Sequence, residues 1–298
     1  MVKILLPTMA AYMGDVKTQL GLLEKTVRGK YEIGLEIVGK PEHFQEERHL
    51  RKIRDNIRSV AKGAYVVIHG FSGLQVYESG LSDMRTSKGR KLLETYLKLG
   101  RAVDASYVHV HGGAGYKGRT LTLHEKRVEL NKVRENLLYC KRKLSTEFQL
   151  GVETLPSPSM GDVEMDPKKV WHDHCESLVD CLAIVDGTEL KVTFDTCHYG
   201  ADKGEKINLI EPIEMLGGHF GLLHANDISG YWVPYKSTWK EGVVPGDGRI
   251  GRSSFRKMFA YIKRKHPHVG ISIEAYNADY KNPIESKESI IRVLKWLE

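Results

Sequence analysis

The chain has 298 residues, 41% hydrophobic and 28% charged, with a formal net charge of +7 and a sequence pI of about 9.0. That composition suits a soluble globular protein with a sizeable core, and no apolar run approaches the ~20 residues a bilayer-spanning helix needs. The basic balance permits a polyanionic partner without requiring one, because basic residues spread along a stretch such as KRVELNKVRENLLYCKRK also suit a solvated helix face.

The N-terminal stretch MVKILLP has too short an apolar run for a signal peptide and reads better as a first β-strand, so a cytoplasmic protein is expected. From there the chain alternates. Short, β-branched runs appear in order as VKILLP, YEIGLEIVG, AYVVIHG, SYVHVHGG, FQLGVET, LKVTFDTCH, FGLLHAND and GISIEAY. Each is followed by a helical pattern, at about Val16–Arg28, His43–Ala61, Lys88–Val103, Leu123–Leu144, Pro167–Ile184, Ile207–Leu216, Ser253–Lys265 and Pro283–Leu297. Asp166-Pro167 and Asn282-Pro283 suit helix starts, with a capping side chain followed by a proline whose missing N–H costs nothing there. Several strands are apolar at nearly every position, as in a parallel sheet buried on both faces. Eight β/α units in a single domain, residues 1–298, predict a TIM barrel. A doubly wound open sheet is the alternative, but it usually has fewer strands and no GxGxxG follows the first strand. The one long connection, Ile228 to Ile250, is of a length that is usually functional or mobile.

In a TIM barrel the chemistry sits at the C-terminal ends of the strands. Standing there are Glu36, His69, His111, Glu153, Asp195, His198, His224 and Glu274. Carboxylates and imidazoles crowded into one mouth repel or desolvate one another, and divalent cations that accept several N/O ligands remove that cost. Asp195 and His198 can both point into the mouth without sharing one ion. Cys197 between them is expected to be a packing residue. The four cysteines, Cys140, Cys175, Cys181 and Cys197, have no CxxC spacing and are expected as reduced thiols.

FDTCHYGAD resembles the DTCH signature of the endonuclease IV family, zinc-dependent apurinic/apyrimidinic endonucleases built on a TIM barrel. The likeness runs along most of the chain. VVIHG and VHVHGG resemble the histidines of that family's third and fourth strands. GVET resembles its bridging glutamate, LLHAND its His-x-Asn-Asp, GDGRIG its Gly-Glu-Gly-x-Ile-Gly and SIEAYN its last glutamate. The resemblance implies that His69, His111 and Glu153 hold one zinc, and that Glu153 bridges to a second completed by Asp195, His224 and Glu274. Mn2+ or another divalent ion is the alternative to Zn2+. His109, on the same strand face as His111, is the residue most easily mistaken for a ligand.

His198 belongs to a third zinc in that family, but Lys240 and Gly242 stand where its Asp and His are expected. A third site is therefore incomplete unless Glu241 or Asp247 substitutes, and Lys236 or Lys240 is positioned to offer positive charge to an anionic substrate instead. IGLEIVG resembles the sugar isomerase-like branch of the same superfamily, where Gly-x-Glu is frequent. That likeness makes Glu36 a candidate substrate contact, against the plainer reading of a solvent-facing strand-end carboxylate. Lys117 and Arg119 are candidate phosphate contacts, and Tyr116, Tyr231, Trp232 and Trp239 candidate stacking residues. The expected function is a metal-dependent hydrolase cleaving DNA at abasic sites, with Glu153 orienting the attacking water. A metal-dependent sugar isomerase or epimerase, in which Glu153 and Glu274 move a proton, is the first alternative. A non-catalytic metal-binding protein is the second.

Overall fold

A computed structural model of the chain describes residues 2–9, 14–39, 46–60, 63–70, 81–117, 121–144, 147–157, 171–201, 203, 207–230, 240–275 and 283–298. Eight parallel strands close into a barrel in the spatial order β1 (Lys3–Met9), β2 (Glu32–Gly39), β3 (Tyr65–Gly70), β4 (Tyr107–Val110), β6 (Gln149–Glu153), β8 (Lys191–Asp195), β9 (Phe220–His224) and β12 (Gly270–Ser272), with β12 pairing back to β1. Each of the eight apolar runs has become one barrel strand. Around them lie α1 (Gly14–Val27), α2 (Glu47–Val60), α3 (Ser87–Ala102), α4 (Leu123–Lys143), α5 (Leu178–Val185), α6 (Thr196–Ala201), α7 (Ile210–Leu216), α8 (Gly251–Lys265) and α9 (Pro283–Leu297).

Period-2 side-chain alternation explains why the strands are apolar throughout. On β1, Ile4 and Leu6 join the outer core against the helices, while Leu5 joins a separate inner cluster with Val67, Tyr107 and Leu222. Val66 and Ile68 flank Val67 in the same way, outward against inward. From α1 the outer core receives Val16, Leu20 and Leu23, all buried. Full burial of each such aliphatic side chain stabilises by about 1.5–3 kcal/mol. The α4 helix starts at a reciprocal cap: Thr122 accepts from the Glu125 N–H, and the Glu125 carboxylate accepts from the Thr122 N–H.

Inside the barrel the residues stack in layers supplied by alternate strands. The strand register places Leu5, Val67, Gly151 and Leu222 in one layer, and Glu36, His109, Thr193 and Ser272 in the next. A Cβ at Gly151 would collide with the Tyr107 hydroxyl, so the missing side chain leaves room for that ring. The phenol then hydrogen-bonds Thr193 Oγ1 at 3.0 Å. Above lie His69, Glu153 and His224, and at the rim His111, Asp195 and Glu274.

Two expectations change. Of the helix expected over Pro167–Ile184, the described residues form α5, Leu178–Val185, capped by Ser177. Trp171–Asp173 instead forms a short strand, β7, antiparallel to β5 (Ala114–Lys117). Asp166-Pro167 lies outside the described residues, as does Asn282. The strand LKVTFDTCH ends at Asp195, and Thr196 opens α6, which carries Cys197 and His198. Within the long connection, β10 (Asp227–Ser229) and β11 (Lys240–Val243) form an antiparallel pair. Among the described residues no helix is long and apolar enough to cross a membrane.

Candidate metal centre

The C-terminal mouth gathers donors from the ends of six barrel strands, and all of them are buried: His69, His111, Glu153, Asp195, His224 and Glu274. They fall into two groups that share Glu153. In the first, His69 Nε2 lies 3.0 Å and His111 Nε2 3.5 Å from Glu153 Oε2, with the two imidazole nitrogens 3.2 Å apart. In the second, His224 Nδ1 lies 3.2 Å from Glu153 Oε1, 3.6 Å from Asp195 Oδ2 and 3.2 Å from Glu274 Oε2. The two oxygens of one carboxylate thus face two different donor sets.

Neighbouring groups orient these ligands. Asp195 Oδ1 accepts the His198 N–H at 2.7 Å, which leaves Oδ2 turned toward His224. Asn226 Nδ2 donates to Asp195 Oδ2 at 3.0 Å and to Glu274 Oε2 at 3.4 Å. Thr154 Oγ1 accepts the Asp195 N–H. Below them Glu36 Oε1 lies 2.8 Å from His109 Nε2, 2.9 Å from His224 Nε2 and 3.1 Å from His69 Nδ1.

The donor set fits divalent cations. Glu153 Oε2 is buried and makes no hydrogen bond, although it faces two imidazole nitrogens. His224 presents each ring nitrogen to carboxylate, so it is stable there only as an imidazolium or with a cation beside Nδ1. Charge distribution says the same. Burial pushes the Glu153 carboxyl up, but the His224 and His69 charges and the nearby imidazoles of His109 and His111 hold it well below the usual carboxylate range. Burial opposes charge on His69 as well, yet Glu153 and Glu36 raise it to about 9. Against burial, Glu274, Glu36 and Glu153 hold His224 well above its ordinary value. Burial raises Glu274 to about 7, with the Glu36 and Glu153 charges adding to the rise and His224 opposing it. Without cations, charge balance in this buried cluster calls for bound protons. Two divalent ions would balance the four carboxylates Glu36, Glu153, Asp195 and Glu274 without them.

Other sequence expectations distribute unevenly. His198 sits on α6 at the rim, its side chain 15% exposed, with Nδ1 donating to the Thr154 carbonyl at 2.8 Å and Nε2 3.6 Å from Glu241 Oε2. Burial opposes its charge, but Asp195, Glu241 and Glu153 raise it to about 10. Glu241 is thus the group that meets His198 across the mouth. Asp247 is not: its carboxylate binds Arg252 and Arg292. Lys240 is exposed on β11, and Gly242 has φ 74°, a conformation that a histidine adopts only at a cost. Cys197 is a buried core residue whose thiol burial pushes well up, with the Asp195 charge adding to it. Lys117 and Tyr116 fall on β5. Arg119, Tyr231, Trp232, Lys236 and Trp239 lie outside the described residues.

Glu36 needs the largest correction. It is not a solvent-facing strand-end carboxylate but is 0% exposed, one layer below His69 and His224. His109, set aside in the sequence as a decoy, is in the same buried layer. Period-2 spacing from His111 marks His109 as inward, and Glu36 stands near the end of β2, but whether an inward residue is rim or interior depends on strand stagger around the barrel. Asn226 and Thr154 were also missed, because their roles are hydrogen bonds to ligands from other strands.

Residues 32–298 match the family model described as the xylose isomerase-like TIM barrel. The chain belongs to the xylose isomerase-like TIM barrel family. Solved structures similar to it include endonuclease IV from Thermus thermophilus, with 18% identity, TM-score 0.61, and coverage of 99% of this chain and 98% of that one. A second is 3-keto-D-glucoside 4-epimerase from E. coli, with 16% identity, TM-score 0.64, and coverage of 100% and 99%. A third is a D-tagatose 3-epimerase-like protein, with 17% identity, TM-score 0.63, and coverage of 99% and 98%. No curated protein sequence matches the chain. At these identities the structural likeness shows the fold, which an endonuclease and sugar epimerases share.

Proposed function

We propose that this protein is a two-metal phosphodiesterase of nucleic acid, with abasic-site DNA as its substrate, zinc as its metal and the cytoplasm as its location. One observation carries the reading: the two oxygens of Glu153 face separate donor sets, Oε2 toward His69 and His111 and Oε1 toward His224. A single ion held by Glu153, Asp195 and His224 would not draw on the separate set of His69 and His111, which shares only Glu153 with it.

His69, His111 and Glu153 would hold one ion, and Glu153, Asp195, His224 and Glu274 the other. Ions held so supply Lewis acidity to a phosphate oxygen and draw the pKa of a water toward neutrality. The chain does the positioning. Glu153 fixes the separation of the two donor sets and accepts a hydrogen bond from the attacking water. Asn226, through its two carboxylate contacts, keeps Asp195 and Glu274 aimed inward. His198, held at Nδ1 by the Thr154 carbonyl, turns Nε2 to the rim, where its positive charge meets the phosphate in place of a third metal. Lys240, exposed on β11, and Lys117 and Arg119, in the sequence that follows β4, are the further phosphate contacts of this reading.

The second reading, a sugar epimerase, draws support from Lys240 and Gly242 in place of third-site ligands. Glu274, raised to about 7, is also poised to hold or release a proton near neutral pH. The test is metal analysis together with assays on abasic duplex and on ketoses. We expect about two ions per chain and strand cleavage, with both lowered or lost in Glu153→Gln while the circular dichroism spectrum is kept. Ketose epimerisation without cleavage, at about one ion per chain, would establish the second reading instead.

A further inference from the structure

The interior layer beneath the mouth is polar where TIM barrels are usually packed with branched aliphatics. Glu36, His109, Thr193 and Ser272 occupy it, all 0% exposed. Burying a carboxylate and an imidazole with no water contact costs several kcal/mol unless they are paired, and an aliphatic layer would avoid that cost. The contacts show what the layer does. Glu36 Oε1 sits among three imidazoles, hydrogen-bonded to His109 Nε2 at 2.8 Å and His224 Nε2 at 2.9 Å, with His69 Nδ1 3.1 Å away. The opposite nitrogens of two of these rings, His69 Nε2 and His224 Nδ1, are the ones turned to the two donor sets above.

From this geometry we infer that Glu36, packed against His109, positions the ligand histidines. It pairs with Nδ1–H of His69 and Nε2–H of His224, and so fixes each ring in the tautomer and rotation that aim its lone pair at a metal. The inference rests on the two-ion reading and deepens it. One carboxylate oxygen reaches one ligand of each ion, so the two halves of the centre are set by a common anchor. His109 packs 4.3 Å from the His69 ring and stacks 5.5 Å from Tyr107, which wedges Glu36 against the other two rings. A Gln in its place would keep an acceptor oxygen but lose the charge that draws three imidazoles to it.

The test compares parent and Glu36→Gln. Zinc affinity is measured by chelator competition, and ring protonation by nitrogen-15 NMR of the zinc-loaded proteins. We expect two zinc ions per parent chain, ligated through Nε2 of His69 and Nδ1 of His224, with the remaining ring nitrogens protonated. Glu36→Gln should weaken zinc by roughly 10- to 100-fold, the usual effect of removing a carboxylate behind a ligating histidine. Equal affinity in both proteins overturns the inference and leaves the two-ion reading standing. So does a third tight zinc that disappears in Glu36→Gln, since Glu36 would then be a ligand itself. No tight zinc in the parent overturns the two-ion reading. If Glu36→Gln does not fold, the parent alone decides: the opposite nitrogen protonated on His69 or His224 overturns the inference.

Discussion

His224 shows how one residue ties chemistry to stability. Its Nε2 faces Glu36 and its Nδ1 faces Glu153, Asp195 and Glu274, so without a cation it must stay protonated. The same holds for its neighbours: His69 is raised to about 9, His198 to about 10 and Glu274 to about 7. Each of these groups binds its proton more tightly folded than unfolded. Their contribution to stability is therefore fully present below the unfolded values, about 4.5 for the glutamate and 6.5 for the histidines, and is lost as pH rises through about 7, 9 and 10. In chelator, urea midpoints should fall steadily from about pH 7 to about pH 10. In saturating zinc the decline should flatten or reverse, because the metal replaces the protons and binds better as they leave. Parallel curves with and without metal would show that the ions bind elsewhere.

Between β11 and α8, the motif GDGRIG acts through its backbone. The Asp227 carboxylate, at the start of β10, accepts five N–H groups: Ile228 at 2.7 Å, Gly246 at 3.0 Å, Gly248 at 2.9 Å, Ile250 at 3.0 Å and Gly251 at 3.3 Å. The loop must wrap closely to do so. A Cβ on Gly248 would collide with the Ile228 carbonyl oxygen and stand 2.6 Å from the Asp227 carboxylate. Arg249 then crosses to α6, where its guanidinium donates to the carbonyls of Gly200 at 2.6 Å and Ala201 at 3.3 Å, and to that of Lys203. One carboxylate thus holds the loop, and the loop holds the helix that carries His198. Asp227→Ala strands several buried N–H groups and should destabilise by about 3 kcal/mol or more in chemical denaturation. A loss under about 1 kcal/mol would mean that water or a rearranged loop replaces the aspartate.

Taken over the entire barrel, the placement of charge matters more than its sum. Among the described residues, ten Lys and Arg stand in the last turns of outer helices: Lys25, Arg58, Arg101, Lys141, Arg142, Lys143, Lys263, Arg264, Lys265 and Lys295. They complement the helix dipoles there. Because each helix runs back against its strand, those turns lie at the N-terminal face of the barrel, away from the mouth. The net +7 is the balance of 45 basic and 38 acidic residues, so with basic groups gathered at the far face it does not by itself place positive charge at the mouth. If duplex DNA binds at the mouth, Lys240→Gln should lower the log–log salt slope of binding by about 0.9, one phosphate contact. The double variant Arg142→Gln and Lys265→Gln, both exposed on the far face, should leave that slope unchanged. A slope lowered by the far-face pair, and not by Lys240→Gln, would move the nucleic acid off the mouth.

The barrel is legible in the linear text, because inward and outward apolar residues along a strand leave a periodic trace, and eight such traces alternate with helices. The candidate ligands His69, His111, Glu153, Asp195, His224 and Glu274 are legible too, because polar residues at the ends of otherwise apolar strands stand out from their neighbours. Depth and partnership came only with the folded chain. Glu36 and His109 occupy inward positions like the ligands, but the stagger of strands around the closed barrel puts them a layer lower, where water does not reach. Asp227 and GDGRIG are 19 residues apart at the hydrogen bond from Gly246 to Asp227, and Trp171–Asp173 turned to strand only because β5 offered it an edge. Such pairings depend on distances between chain segments that no local pattern encodes.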